Sequence, residues 1–471
     1  MNILLETFLI LLLICSAHCR YFTGLEKNNT TSILLPSITY DLDLSRPLTY
    51  SALVVLNDTS AHLFTLGNDL VVRPEMANDY STNDSYTHHK ITLAKDYKSY
   101  RGEIIDSNDV VYSMNYLAQH SPYVRAVLGS IVGIDTCSLK KCKLAITAVD
   151  DITIDIKTRH PDRDLIEKLA SPFLIILKLG KTYLEKIGNC NIPYQTGHAI
   201  LTACDNDHQE ITFKNRRAII SVVGSDSGKG DFDGFILTIN PGEDPYPSLI
   251  VISMYAMPNS GLIDKTRIEI TKTLMSHRRN LSDKLKLKQS YTIVSEWFRL
   301  KQSIFPGIND IQTPPVIETC PKNPIKFVLE TTTPNVESIK AWIADVIPCE
   351  INVITVRADV IFNELKNADF GLMWVTPDYL DYYNAYSVFD RSSECDTCWN
   401  DDILQAMIDK LKAYDTPEED RGVIAMQIEK HVIGNGYVAP LLQMNTWLNI
   451  KGKIKNVHPA GLAQLKVSDF F

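Results

Sequence analysis

The chain has no excess of positive charge, no internal repeat and no low-complexity tract. Its formal net charge is −9, which excludes nucleic acid as the main partner, because phosphate contacts need dense Lys and Arg. Beyond the N-terminus no apolar run reaches transmembrane length, so the remainder reads as soluble. The eleven histidines include no HExxH and no ligand-spaced cluster, and the adjacent pair His88–His89 reads as surface. "GSDSGKG" at 224–230 fails the phosphate-loop spacing, since Gly230 follows Lys229 where Ser or Thr is needed. "GDFDG" at 230–234 does not keep the calcium-loop register, and Asp226 at the centre of "GSDSG" leaves no nucleophile elbow. These absences leave an enzyme reading without support, and no cofactor or metal is expected.

What is present is a globular composition, 45% hydrophobic and 22% charged, spread over 471 residues. That length implies two or more domains. The opening "MNILLETFLILLLICSAHC" reads as a secretory signal over residues 1–19: a short apolar run, Phe8–Ile14, followed by Ser16 and Ala17. The n-region has Glu6 and no basic residue, so an uncleaved anchor is the other reading. Cys19 is a candidate for lipidation, although His18 stands where a lipoprotein signal wants a small residue. Export to the periplasm or the outer face of the cytoplasmic membrane follows.

Eight of the ten cysteines lie beyond this segment. An even count in an exported chain favours disulfides, with Cys137–Cys142 and Cys190–Cys204 as the local pairs. "CDTC" at 395–398 has no second CxxC or histidine pair to complete a zinc set, so a structural disulfide is favoured there over a redox or zinc site.

Short β-like runs with a few helices extend to about residue 250. Lys143–Thr158 reads as two strands turning at Asp150–Asp151, followed by a helix carrying Leu165, Leu169 and Phe173. Later, "KFVLE", an amphipathic stretch over 336–346, and "INVITVR" suit a βαβ unit with a parallel sheet. Two helices follow, the second opened by a capping box of Thr416 and Glu419 with Pro417 in its first turn. Boundaries near 250 and 440 divide the chain into a first lobe, 20–250 with a return over 440–471, and a second lobe, 251–439.

One further stretch stands out. "WVTPDYLDYY", residues 374–383, places Asp378 and Asp381 among aromatic side chains. No metal set or catalytic base accompanies them, and a three-residue separation on a loop fixes no distance between carboxylates. A ligand's amine or a local turn cap remains as the partner of Asp378.

Six stretches, taken in order, resemble the extracytoplasmic solute-binding proteins of peptide-type ABC transporters, solute-binding family 5. They are Gly102 followed by Asp109-Val110-Val111-Tyr112-Ser113 opening a helix; "DDITIDIKTRHPDRDLIEKLASPFLIILK"; "TGHAILT" at 196–202; "GDFDGF"; the helix with Asp264 and Arg267; and "ADFGLMWVTPDYLD" with the helices after it. Asp109 also makes sense as an acid near a helix N-terminus. The sequence departs from the pattern in a shortened middle, in Asp378 lying one residue further from Trp374, and in Tyr382 after Asp381 where a proline is usual.

The resemblance implies an α/β, bilobal periplasmic-binding-protein-like fold with a two-crossing hinge and a peptide ligand in the interlobe cleft. It also implies ABC transporter permease subunits in the inner membrane as partners, and a monomer. By the same resemblance Asp378 pairs with the peptide's α-ammonium, Trp374 and Tyr379 form apolar walls, and Tyr123 lines the cleft. Nickel or haem on the same scaffold, or a solute-sensing or surface protein that has lost transport, are the alternatives it leaves open.

Overall fold

The computed structural model describes residues 30–470 apart from 36–37, 46–47, 49, 68–70, 206–207, 223–233, 238–245, 295–314, 332, 334, 357–359, 376–381, 392–397, 414–415 and 451–465. The signal-like start, Cys19 and the glycine-rich loop at 224–230 therefore lie outside the described residues. Among the described residues no helix is long and apolar enough to cross a membrane.

Strand β1 (Thr30–Leu35) alternates half-buried and buried positions, with Ile33 and Leu35 in the core, as period-two side chains require. Helix α1 (Tyr50–Thr59) follows. A separate four-stranded antiparallel sheet comes next, from β2 (Ala77–Thr82), β3 (His88–Leu93), β4 (Ile146–Asp150) and β5 (Thr153–Lys157), in the order β2-β3-β5-β4. The β4–β5 turn falls where the sequence places it, with Ile152 N donating to Asp150 Oδ1 at 2.9 Å. Helix α2 (Ser107–His120) packs on this sheet, and α3 (Pro122–Val127) and α4 (Leu165–Leu169) add to a core running from Leu44 to Leu177 that is distinct from the main one.

Several local expectations are corrected here. Helix α2 begins at Ser107, two residues before the expected start, and is capped by Asp106, with Asp109 in the reciprocal position of a capping box. Asp109 is buried; its Oδ2 accepts from Asp106 N at 2.9 Å and Lys178 Nζ at 2.7 Å, and its Oδ1 from Leu179 N at 2.9 Å. Helix α4 ends at Leu169, because Pro172 stops it; Phe173 still reaches the core, but from beyond the helix. His89 is not on the surface. Period-two alternation turns it inward while His88 stays exposed, and its ring bonds Tyr80 Oη at 2.7 Å and Tyr86 O at 2.9 Å.

The main sheet is built from β1 with β6 (Ile200–Cys204), β7 (His208–Thr212), β8 (Arg217–Val222), β9 (Gly234–Leu237), β10 (Tyr246–Ala256), β11 (Ile325–Glu330), β12 (Ile351–Val356), β13 (Phe370–Val375) and β14 (Val438–Ile450). Its order is β6-β7-β8-β1-β9-β14-β10-β13-β11-β12. The long strands β10 and β14 lie at its middle. β14 pairs antiparallel with β9 through Trp447–Ile450 and with β10 through Val438–Gln443, while β10 passes on to β13. The register of β10 with β14 shifts between Pro247 and Val251 and again at Ile252–Ser253, where Pro440 sits. A proline, which cannot donate to a ladder, is tolerated in a central strand at such a bulge.

On the far side, helix α5 (Asp264–Leu285) precedes β11, and α6 (Val336–Val346) joins β11 to β12 as the expected parallel βαβ unit. Helices α7 (Tyr382–Tyr386), α8 (Asp402–Lys412) and α9 (Glu418–Gly434) follow β13. No capping box opens α9. Pro417 is its N-cap, and the Thr416 hydroxyl donates instead to Lys410 O at 2.8 Å, closing the preceding helix.

Both local disulfides expected from the sequence are formed, Cys137–Cys142 and Cys190–Cys204, with Cα separations of 4.1 and 5.8 Å. A third, Cys320–Cys349, ties the segment before β11 to the one before β12, and Cys398 is disulfide-bonded as well.

The C-terminal residues meet the end of α1 through a buried polar clamp. Ser468 donates from its backbone N (2.9 Å) and Oγ (2.7 Å) to Asp58 at the end of α1, and Lys466 Nζ pairs with Glu75 Oε2 at 2.7 Å. His62, 2% exposed, donates its backbone N to Glu75 Oε1, while its ring Nε2 is buried without a hydrogen-bond partner among the described residues. Burial pushes the His62 imidazole down to about 4, outweighing the attraction of Glu75. Burial also raises Asp58 despite Lys466 and Ser468; in Glu75 the same burial is overcome by Lys466 and His62, and its carboxyl is lowered.

A lowered histidine means that the unfolded chain binds a proton the folded one refuses. The stability it contributes is therefore whole above about pH 6.5 and is lost as the pH falls toward 4. The expected loss at pH 4.5 from this residue is about 2–3 kcal/mol. Denaturant unfolding at pH 7 and pH 4.5 should show that His62→Gln loses less stability between the two than the parent chain; an unchanged difference would remove His62 as the cause.

Candidate functional site

The stretch singled out in the sequence begins in β13. Trp374 and Val375 close this strand, paired with Ile252 and Val251 of β10 at the level where β10 also pairs with Leu442 and Gln443 of β14. Trp374 thus belongs to the ladder next to the two long strands. The structure describes its backbone only.

The residues before Trp374 hold β13 in place. Phe370 stacks on Phe327 of β11 at 5.1 Å, with the rings within 13° of parallel. A Cβ at Gly371 would meet Leu365 Cδ2, the movable end of a buried side chain. Asp369 pins both neighbouring strands: Oδ1 accepts from Ser260 Oγ at 2.8 Å and Oδ2 from Lys326 N at 2.9 Å, while its own carbonyl receives Met257 N. The "ADFG" half of the motif is therefore architectural.

Asp378, Tyr379 and Asp381 lie outside the described residues, in 376–381. The chain resumes at Tyr382, which is buried at the start of α7 with its hydroxyl side facing Gly422 of α9. Tyr382 replaces the proline of the resembled pattern, and here it serves as a core residue. Tyr386 follows one turn on and donates its hydroxyl to Glu429 Oε1 at 3.1 Å. Both flanks of 376–381 are thus anchored, one by a strand ladder and one by helix packing. Tyr123 lies in α3, directly after the end of α2, and only its backbone is described. The four expected contact residues are not brought together by any described side-chain contact.

Sequence reasoning missed Glu429. It sits in α9 among Ala425, Ile428 and Val432, all fully buried, and accepts Ile293 N at 3.0 Å together with Tyr386. A glutamate within the apolar stripe of a helix was the available signal. Its charge also adds to the burial that pushes the Tyr255 phenol well above its ordinary range. Arg278, another buried charge, lies with its guanidinium 4.2 Å from the Tyr291 ring centroid.

Asp264 and Arg267, carried by the resemblance, form an ion pair at 2.6 Å. Arg267 also donates to Asn435 O at the end of α9 and lies over the rings of Trp399 (4.4 Å) and Tyr437 (5.1 Å). Asp401 completes this cluster, accepting from His431 Nε2 at 2.7 Å and Tyr437 Oη at 2.9 Å. Burial would raise its carboxyl, but these hydrogen bonds, with that from Leu404 N, hold it below the usual range. The "TGHAILT" turn is likewise structural. A Cβ on Gly197 would collide with the Asp58–Ser60 backbone, which Gly197 N bonds at Thr59 O, 2.9 Å away.

Among the described residues no group of three or more His, Cys, Asp or Glu side chains converges as a metal set would. A shallow depression of about 310 Å³ on the first lobe is lined by Lys98, Tyr100, His198, Phe213, Lys214 and Arg216, none of them in the expected contact set.

No protein-family model and no curated protein sequence matches the chain. Solved structures do. The murein tripeptide binding protein MppA of Escherichia coli superposes with a TM-score of 0.78 at 15% identity, over 93% of this chain and 97% of that one. OppA of Haemophilus influenzae in complex with RPPGFSPFR gives 0.75 at 15% identity, over 93% and 97%. NikA of Staphylococcus aureus in complex with Ni(L-His)2 gives 0.74 at 15% identity, over 92% and 98%. These neighbours bind a murein tripeptide, a peptide and nickel, and they align end to end with the present chain. The chain has the bilobal α/β fold of the solute-binding proteins that its sequence resembles.

Proposed function

We propose that the protein is an extracytoplasmic substrate-binding protein that captures peptides between its two lobes and delivers them to an ABC transporter permease. The observation that carries this reading is the alignment over more than nine-tenths of both chains with MppA and OppA, whose ligands are peptides. The lobes in this reading are 20–250 with the return 440–471, and 251–439. Their hinge lies in β10 and β14, where two register shifts and Pro440 interrupt the ladder. Bulged strands bend where pairing is broken, and lobe closure about such a pair of crossings is a common transition in periplasmic binders.

Closure excludes water and strengthens charge contacts inside the cleft. Asp378 receives the peptide's α-ammonium, which gives a carboxylate withdrawn from water the partner it needs. Trp374 and Tyr379 supply apolar walls that accept varied side chains, and Tyr123 contributes from the first lobe. The peptide backbone is held by hydrogen bonds in the manner of an added strand, giving affinity with little sequence selectivity. The chain is exported, acts as a monomer and carries no catalytic group in this reading. Nickel is the second reading, favoured by the likeness to NikA bound to Ni(L-His)2.

Thermal unfolding of the purified chain with a peptide pool, free amino acids, nickel and haem separates these cargoes. A ligand at a hundred times its Kd adds about 2.7 kcal/mol to stability. A rise in Tm with peptides alone is expected, and a rise with nickel or haem alone would replace the peptide reading.

Asp378→Ala is expected to abolish the shift for peptides with a free N-terminus and to spare N-acetylated ones. Equal loss for both would assign Asp378 to a local cap.

A further inference from the structure

The loop closed by Cys137–Cys142 has a construction that neither core packing nor the cleft accounts for. Ser138 and Lys141 pair as a two-residue hairpin, with Ser138 N to Lys141 O at 2.8 Å and Lys141 N to Ser138 O at 3.0 Å. Leu139 and Lys140 are therefore its tip. The base is rigid as well. Beyond the disulfide, Gly133 at φ +98° packs against the Lys143 carbonyl so closely that no Cβ fits, and Gln119 Nε2 of α2 donates to Leu139 O at 2.7 Å.

On this rigid base the side chains point to solvent. Leu139 is 72% exposed, and Lys140, Lys141 and Lys143 are all exposed. Isolated exposed leucines are ordinary; this one is held at a turn tip that a disulfide and a side-chain hydrogen bond keep from folding back. The three lysines have no ion pair with any described residue. The acid nearest in sequence, Asp135, is engaged by Arg159. In a chain of net charge −9, this is a locally cationic point with an apolar apex.

We propose that this loop is a membrane-docking tip, in which Leu139 enters the headgroup region of an anionic lipid surface while Lys140, Lys141 and Lys143 meet its phosphates. Charge complementarity selects that occupant, because an apolar apex ringed by cations matches a surface that is negative outside and apolar beneath. The magnitudes fit a reversible contact. Burying a leucine strengthens binding by roughly tenfold to a hundredfold, and each lysine at an anionic surface adds about fivefold. The product is comparable to the marginal affinity of a single acyl chain, enough to orient a protein at the bilayer and too weak to trap it there. The contact is independent of which ligand the cleft takes.

Sedimentation with vesicles tests it, using the parent chain and its variants prepared in the same form. Expected are binding to a roughly 3:1 mixture of phosphatidylcholine and phosphatidylglycerol, little binding to phosphatidylcholine alone, and release at high salt. Leu139→Ser should weaken binding at least about tenfold, and the double change Lys140→Glu, Lys141→Glu should remove the preference for anionic vesicles. All three positions are exposed, so an unchanged melting temperature will show that the fold is intact. Equal binding to both vesicle types, or variants that bind like the parent, would overturn the proposal. So would a parent chain that ignores protein-free vesicles yet binds vesicles rebuilt with membrane proteins, an outcome that would assign the tip to a protein partner.

Discussion

The antiparallel pairing of β10 with β14 is the interaction on which the architecture depends. Every other strand of the main sheet is reached from these two: β9, β1, β8, β7 and β6 in turn through the end of β14, and β13, β11 and β12 through β10. Backbone hydrogen bonds hold this junction, so it makes little demand on particular side chains. That tolerance is consistent with a fold retained at 15% identity to MppA and OppA. The same pairing contains the irregularities that the proposed hinge would use. Two register shifts and a proline occur in the strands that serve both halves of the sheet.

Buried carboxylates tie distant segments together at two places in the fold. Asp109 gathers the start of α2, Lys178 and Leu179, and so fixes a helix to the strand-like segment beside it. Glu429 gathers α7 and the segment at Ile293 around α9. Each carboxylate receives hydrogen bonds from parts of the chain far apart in sequence. Such groups cost desolvation and are tolerated where their partners are supplied. They specify which segments meet, a task that nondirectional apolar burial performs less strictly.

What the sequence disclosed follows the range of the forces involved. The parallel βαβ unit, the β4–β5 hairpin, helices α8 and α9 and both short-range disulfides were legible, because periodicity, turn residues and cysteine spacing act locally. The capping box at Thr416 was misread: two local options compete there, and the hydroxyl bonds back to Lys410 instead of forward to the next helix. His89 was misread because its inward side is set by its neighbours in the sheet. The disulfide Cys320–Cys349, the Asp58–Ser468 contact and the Glu429 cluster depend on tertiary topology, with partners from 29 to 410 residues apart, and no local pattern announces such a partner. The candidate site divides in the same way. Asp369, Phe370 and Gly371 lie in the stretch that resembles a ligand motif, and in this chain the contacts of Asp369 and Phe370 are structural.

The C-terminal clamp bears on how closure would operate. A lobe joined by two strands moves as a hinge only if both strands are held in the other lobe; were one loose, the moving lobe would pivot on a single backbone. In the proposed division β10 enters from the first lobe, following β9 in sequence. β14 leads instead toward the C-terminus, and its pairing with β9 is short. The turn at Val467–Phe470 supplies further anchorage: Val467 is fully buried, Ser468 bonds Asp58 twice, and Lys466 reaches Glu75. In the proposed motion this clamp makes the second crossing a tether under the first lobe's control. The clamp contains a histidine that burial keeps from protonating, so in the proposed motion the anchorage of the second crossing would weaken in acid.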